Sequence, residues 1–187
     1  MKVNAITLGG ILVAISIVLL YLTSLIPTNT LTLLTLLSFI PPIALMEKGV
    51  KTAVLVYICS SIGSLLFVPF NITLLYILFF GIYGIIKGFI ERLNKSFLEI
   101  VLKLLFFNAI FLILLLSIRN ILGIDLQNNL AKLLSYFTSN PLSPTSGFLI
   151  LCLIMQPVFL IYDYALTLLV GYYDDYIKRY LRQGHSK

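Results

Sequence analysis

The feature that most constrains this chain is a run of 44 residues, from Val3 to Met46, without a single charged side chain. A second charge-free run of 35 residues extends from Thr52 to Ile86. A helix needs roughly 20 mostly apolar residues to cross the hydrocarbon core of a membrane, so each run is long enough for two crossings. Each run also has a turn signal near its middle, PTN at 27–29 and PFN at 69–71. Both runs therefore predict helical hairpins in a membrane.

Two shorter charge-free runs, 104–118 and 148–162, raise the number of predicted crossings to six. The predicted spans are Ala5–Ile26, Thr30–Met46, Thr52–Val68, Ile72–Ile90, Phe97–Ile118 and Phe148–Val170. The chain is 60% hydrophobic and 11% charged, and a soluble domain of 187 residues could not bury that much apolar surface. We expect an all-α polytopic membrane protein formed by one domain that covers residues 1–187.

The distribution of basic residues predicts the orientation, because lysine and arginine accumulate in short cytoplasmic loops. With the N-terminus inside, eleven basic residues are cytoplasmic and two are outside. The cytoplasmic set is Lys2, Lys48, Lys51, Lys87, Arg92, Lys95, Lys103, Lys178, Arg179, Arg182 and Lys187, and the outer set is Arg119 and Lys132. We therefore expect both termini to be cytoplasmic in a multi-pass protein of a bacterial plasma membrane. This topology accounts for the net charge of +6, so the basic balance does not indicate nucleic-acid binding.

The connection between the fifth and sixth spans, residues 119–147, is the one long loop that is predicted. Its apolar residues recur at three- and four-residue spacing, which predicts an outer amphipathic helix that Asp125 caps. These residues are Leu126, Leu130, Leu133, Leu134 and Phe137. The helix would be either an anchor at the membrane interface or a lid over an outward-facing cavity.

A carboxylate inside the sixth span, Asp163, requires a partner, since a charge in hydrocarbon costs on the order of 3 kcal/mol. Lys103 enters the fifth span at about the same depth. We expect an intramembrane ion pair between these two residues. The pair is either a static pin between the fifth and sixth helices or a protonatable or substrate-binding carboxylate with its lysine.

Neutral polar residues and prolines also fall at membrane depth. Asn108 and Gln156 are at similar depth and could form a hydrogen bond between helices. Pro157 removes a backbone hydrogen bond at Leu153, and Pro41 with Pro42 is expected to interrupt the second helix in the same way. Three pairs of small residues at i, i+4 spacing would let helices approach closely. They are Gly10 and Ala14, Ser60 and Ser64, and Gly84 and Gly88.

Residues for enzyme chemistry are missing from the predicted spans. The single histidine, His185, is third from the C-terminus, so neither a histidine metal site nor a serine–histidine arrangement is possible in the membrane. Asp174 and Asp175 have no second acidic cluster beside them, and no phosphate-binding loop occurs. Cys59 and Cys152 are expected to be free, apolar packing residues. We expect no enzyme, no metal and no cofactor.

The layout of six short spans with both ends inside resembles the substrate-binding S component of an energy-coupling factor (ECF) vitamin transporter. LTLLTLLSFIPPIALMEKGVKTAVLVYICSSIGSLL at 31–66 is similar in rhythm to the second and third helices of that family, and LFFGIYGIIKG at 78–88 is similar to its fourth. The resemblance implies that Gly10 and Ala14 contact a transmembrane coupling subunit, although the family has alanine at the first of these positions. It also implies ATPase partner subunits and a small-molecule substrate that is captured from outside.

The resemblance places the substrate site near the outer ends of the helices, which implicates Asn29, Asn71 and Gln156, and with Gln156 its expected partner Asn108. Membrane lipid is the remaining expected partner. The alternative is a non-transporting membrane scaffold that resembles the cell-shape protein MreD, which has a similar length and span count. An outer pocket with converging polar groups would favour the transporter. A solid outer half with an exposed small-residue face would favour the scaffold.

Overall fold

The structure is a computed structural model that describes residues 3–93, 95–122 and 144–184. All regular elements in these ranges are helices. Six of the helical segments are long and apolar enough to cross a membrane, which confirms the predicted all-helical fold with six candidate spans. They are Asn4–Leu25, Pro27–Lys48, Val50–Phe67, Phe70–Leu93, Ser96–Arg119 and Thr145–Tyr176. The cytoplasmic location of the termini stays a prediction, and the amphipathic helix at 126–137, its cap Asp125, Lys132 and His185 lie outside the described residues.

The described chain forms eight α-helices, with short 3-10 turns at Pro27–Asn29 and Glu91–Leu93. The α-helices are α1 Val3–Leu25, α2 Thr30–Leu37, α3 Ile40–Lys48, α4 Val50–Phe67, α5 Phe70–Leu75, α6 Gly81–Ile90, α7 Ser96–Leu122 and α8 Pro144–Gly184. The chain divides into two compact units. Unit 1 comprises residues 1–99 and 164–187, and unit 2 comprises residues 100–163.

The second span is interrupted next to its prolines. Helix α2 ends at Leu37 and α3 begins at Ile40, so Pro41 and Pro42 lie in the first turn of α3. A proline in the first turn removes an N–H that has no partner within the helix. The predicted interruption is therefore present, and it begins four residues before the prolines, because α2 ends at Leu37 and its C-cap is Ser38. In contrast, α8 continues through Pro157 and is longer at both ends than the predicted span 148–170.

The fourth span contains a π-helical segment, Tyr76–Phe80, that the sequence did not predict. In this segment the N–H of Gly81 donates to the carbonyl of Tyr76, five residues earlier. The hydroxyl of Tyr57 in α4 donates to the carbonyl of Ile77 at 2.9 Å and so compensates for the altered backbone bonding. A Cβ on Gly81 would lie 2.9 Å from the Tyr57 ring, so glycine allows this contact.

Close packing in unit 1 depends on small residues at helix crossings. A Cβ on Gly84 of α6 would lie 2.5 Å from Cγ of Pro42 in α3, and one on Gly88 would lie 2.6 Å from Cδ2 of Leu45. A Cβ on Gly63 of α4 would similarly lie 2.7 Å from Cδ1 of Ile17 in α1. The core of unit 1 is thus formed where α1, α3, α4 and α6 approach one another closely.

Candidate functional site

An ion pair joins the two helices of unit 2. Nζ of Lys103 in α7 lies 3.0 Å from Oδ2 of Asp163 in α8, as their depths in the sequence predicted. The side chains are only 9% and 14% exposed, so both charged groups are largely enclosed by protein. Because a charge in hydrocarbon is costly, this pair satisfies the main electrostatic requirement of the sixth span.

Aromatic stacking continues the same helix contact. The rings of Phe107 and Phe159 stack with centroids 4.4 Å apart, one helical turn from the ion pair on each helix. Phe107 also stacks on Phe111 at 5.6 Å. Residues 103 and 107 ascend α7 while residues 163 and 159 descend α8, so the helices of unit 2 pack antiparallel in a defined register.

A pair of amides follows in the same register. Nε2 of Gln156 donates to Oδ1 of Asn108 at 2.7 Å, and Nδ2 of Asn108 donates to the carbonyl of Leu104 at 2.8 Å. Asn108 is exposed and Gln156 is half-buried. A glutamine also offers an acceptor oxygen and a second N–H, so the pair retains hydrogen-bonding capacity at a membrane-depth surface. Such a surface favours an additional polar partner, since lipid chains supply none.

The other two candidate substrate residues lie in unit 1 and are exposed. Asn29 is the residue that precedes α2, and it makes no side-chain capping bond there. Asn71 lies in the first turn of α5. Of the four sequence candidates, Asn108 and Gln156 are therefore brought into contact with each other.

A buried lysine in unit 1 was not recognised as a membrane-depth charge from the sequence. Lys87 of α6 has a side chain that is 3% exposed, with Nζ 2.8 Å from Oε1 of Glu91 and 2.7 Å from the Thr167 hydroxyl. The i, i+4 spacing of Lys87 and Glu91 was the available signal. Lys87 was counted with the cytoplasmic charges, although the predicted span Ile72–Ile90 and the candidate span Phe70–Leu93 both include it.

Nearby in unit 1, the carboxylate of Glu47 at the end of α3 accepts a hydrogen bond from the Tyr173 hydroxyl at 3.3 Å. The Tyr173 ring also meets Phe39 edge-on, with centroids 5.9 Å apart. Both contacts fix the last third of α8 against the chain around α3.

Buried hydroxyls form a second polar cluster in unit 1. The hydroxyls of Ser60 and Tyr76 are 2.6 Å apart, and Ser60 also donates to the carbonyl of Val56 at 2.7 Å. The Thr73 hydroxyl donates to the carbonyl of Ser64 at 3.1 Å. Ser60, Ser64, Thr73 and Tyr76 are all fully buried. These hydroxyls are bonded to neighbouring protein groups and tie α4 to the fourth span.

The three small-residue pairs have different environments. Gly84 and Gly88 pack on α3, and Ser60 and Ser64 are buried. Gly10 and Ala14 of α1 are exposed, and a Cβ on Gly10 would meet nothing within 4 Å. Within the described chain, this is the pair whose face is available to another molecule.

An apolar groove of about 310 Å³ lies beside this face, between α1 and α4. Its walls are formed by residues between Ala5 and Val13 of α1 and between Thr52 and Cys59 of α4, and they include Gly10. Cys59 is a free, exposed cysteine, and Cys152 in unit 2 is also free. The groove has almost no polar surface. Its lining includes Leu55 and Cys59 on the α4 side and Ile6 and Gly10 on the α1 side.

Among the residues with described positions, no group of three histidine, cysteine or acidic side chains could hold a metal ion. Comparisons of the chain with protein-family models, curated proteins and solved structures gave no significant match.

Proposed function

We propose that this chain is the substrate-capturing membrane subunit of an ATP-driven importer for a small, vitamin-like molecule. The observation that supports a transporter over a scaffold is the Asn108–Gln156 amide pair, which leaves hydrogen-bonding groups at a membrane-depth surface. The exposed Gly10–Ala14 face of α1 supplies a partner contact that either function could use. Small residues at an exposed helix surface allow another helix to approach closely in lipid, where packing drives association. A transporter subunit without a phosphate-binding loop needs such a contact, because nucleotide must be bound by a partner.

The substrate-binding part of the proposal rests on amide groups. Asn108 and Gln156 together leave donors and an acceptor at the surface of unit 2, which suits a neutral polar ligand in largely apolar surroundings. Asn29 and Asn71 add exposed amides in unit 1. Few cations are expected on the outer side, so a strongly anionic substrate is disfavoured. Capture outside would be followed by reorientation that ATP hydrolysis on the partner subunits drives.

Copurification from native membranes, with mass spectrometry of bound proteins and small molecules, tests the proposal. Wild-type protein should recover a coupling subunit, an ATPase pair and a vitamin-sized ligand. Ala14→Leu and Gly10→Leu should lower partner recovery about tenfold, a loss of about 1.4 kcal/mol of binding free energy. Ala109→Leu and Gly171→Leu are the matched controls, because Ala109 is also exposed and a Cβ on Gly171 also meets nothing within 4 Å.

The ligand site is tested separately with Gln156→Leu and Asn108→Leu. Each variant should lose the small molecule while it retains the protein partners, because the amides are remote in sequence from the α1 face. Recovery of the ligand at wild-type levels from both variants would contradict the assignment of the amide pair. An absence of any ATPase partner and any ligand from the wild-type sample would contradict the transporter itself.

The second candidate function is a non-transporting scaffold resembling MreD. One observation favours it: the buried hydroxyls of Ser60, Thr73 and Tyr76 are bonded to other protein groups and are packed in the interior of unit 1. A scaffold needs an exposed docking face but no ligand site. The same copurification distinguishes the two functions, since a scaffold would be recovered with wall-synthesis or cell-shape proteins and without a small molecule.

A further inference from the structure

The groove between α1 and α4 is long and apolar enough to hold a hydrocarbon chain. It extends along α4 from Thr52 to Cys59, seven helical rises that correspond to a length of about 10 Å. Its lining is almost entirely apolar, so an occupant needs no hydrogen bond to the walls.

Two lysines lie where the groove ends. Lys51 precedes Leu55 by four residues and Cys59 by eight, so it lies on the groove-facing side of α4, about one turn beyond Leu55. Lys48 closes α3 just before it, and both lysines are exposed. Neither forms an ion pair with an acidic residue in the part of the chain whose structure is described. Their neighbour Glu47 accepts the hydrogen bond of Tyr173.

We propose that this groove binds one acyl chain of an anionic phospholipid, with the phosphate headgroup held by Lys51 and Lys48. The charge complementarity selects the occupant: apolar walls match an acyl chain, and exposed cations at the membrane-surface end match a negative headgroup. Lysine side chains reach the interface from such positions while their methylene stems cover apolar surface. Each lysine near the surface contributes about a fivefold preference for anionic over zwitterionic lipid.

Photocrosslinking of the full-length protein in phosphatidylcholine vesicles tests this site. In one sample, a small fraction of the lipid is phosphatidylglycerol with a diazirine in its acyl chain. In the other sample, the labelled lipid is phosphatidylcholine with the same diazirine. Phosphatidylglycerol should crosslink to residues 5–13 and 52–59 at least about fivefold more than labelled phosphatidylcholine. Lys51→Gln should reduce this preference about fivefold, whereas Lys95→Gln, at an exposed lysine in another loop, should leave it unchanged.

Filling the groove supplies an independent variant. Gly10→Leu should abolish crosslinking of both lipids to residues 5–13 and 52–59, and Gly171→Leu should not. If the size-exclusion profile shows that Gly10→Leu does not fold, the site is tested by the comparison of the lipid preference of Lys51→Gln with that of Lys95→Gln.

Equal crosslinking by the two wild-type lipid samples would overturn the proposal and show ordinary boundary lipid. The same follows if folded Gly10→Leu crosslinks like wild type. The lipid site is separable from the proposed function, because Ala14→Leu addresses the partner face without a groove-lining residue and Lys51→Gln addresses the headgroup.

Discussion

The charged groups of Lys87, Lys103 and Asp163 each contact a specific partner. The depth of Asp163 in its span and of Lys103 in the preceding one pointed to a pair, and the two side chains are 3.0 Å apart. The same reasoning did not identify the contact of Lys87, although the lysine lies inside the predicted span Ile72–Ile90, because its partner Thr167 is neutral and 80 residues away. Depth in the sequence indicates a pair only when both members are charged residues inside predicted spans, as Lys103 and Asp163 are.

Removal of one member of the Lys103–Asp163 pair should be far more harmful than removal of both. Asp163→Asn leaves Lys103 buried without its counter-charge and should lower the free energy of unfolding by about 3 kcal/mol. The double variant Lys103→Met with Asp163→Leu should recover most of that loss, because no unpaired charge remains. Thermal unfolding in detergent measures both effects, with exposed Asp175→Asn as the control.

The same variants separate a structural pin from a functional carboxylate. A pin predicts that the stable double variant still recovers the small molecule in copurification. If the double variant is stable but recovers no small molecule, the Asp163 carboxylate takes part in ligand binding. A double variant as unstable as Asp163→Asn would mean that the unpaired charge of Lys103 is not what destabilises the single variant.

At the scale of elements, the helix boundaries and interruptions depend on what each helix packs against. The interruption of the second span was predictable from Pro41 and Pro42, since proline has no N–H to bond the carbonyl four residues before it. The π-helical segment Tyr76–Phe80 was not, because its compensating donor, the Tyr57 hydroxyl, comes from another helix. The small-residue pair Gly84 and Gly88 is explained at this scale by the close approach of α6 to α3.

Two glycine-to-alanine substitutions should have opposite effects on stability. Gly84→Ala places a Cβ against the rigid Pro42 ring and 2.9 Å from the Ser38 carbonyl, so it should destabilise by about 1–3 kcal/mol. Gly171→Ala adds a methyl group in open space and should stabilise α8 by up to about 1 kcal/mol. Denaturant unfolding in detergent gives both values. A Gly84→Ala protein at least as stable as wild type would mean that α6 and α3 are not in close contact.

At the scale of the whole molecule, the distribution of lysine and arginine predicts one topology. In a background with both native cysteines replaced by alanine, Asn29→Cys should react with a membrane-impermeant maleimide in intact cells. Lys48→Cys and Lys95→Cys should react only after the membrane is permeabilised, because basic loops are retained in the cytoplasm. If Lys48→Cys and Lys95→Cys react in intact cells and Asn29→Cys does not, the protein is inserted in the opposite orientation. The lysine end of the α1–α4 groove would then lie in the outer leaflet.

Sequence patterns were enough to predict an all-helical fold with six candidate spans in the described residues, and the pairing of Lys103 with Asp163. These follow from the length of an apolar run, the thickness of hydrocarbon and the depth of a charge, which are all properties of one or two segments. Tertiary structure alone decided which small-residue pair is exposed, where a groove opens beside Gly10 and how Lys87 is buried. An i, i+4 spacing states that two residues share a helix face, but only the neighbouring helices determine whether that face meets protein or lipid.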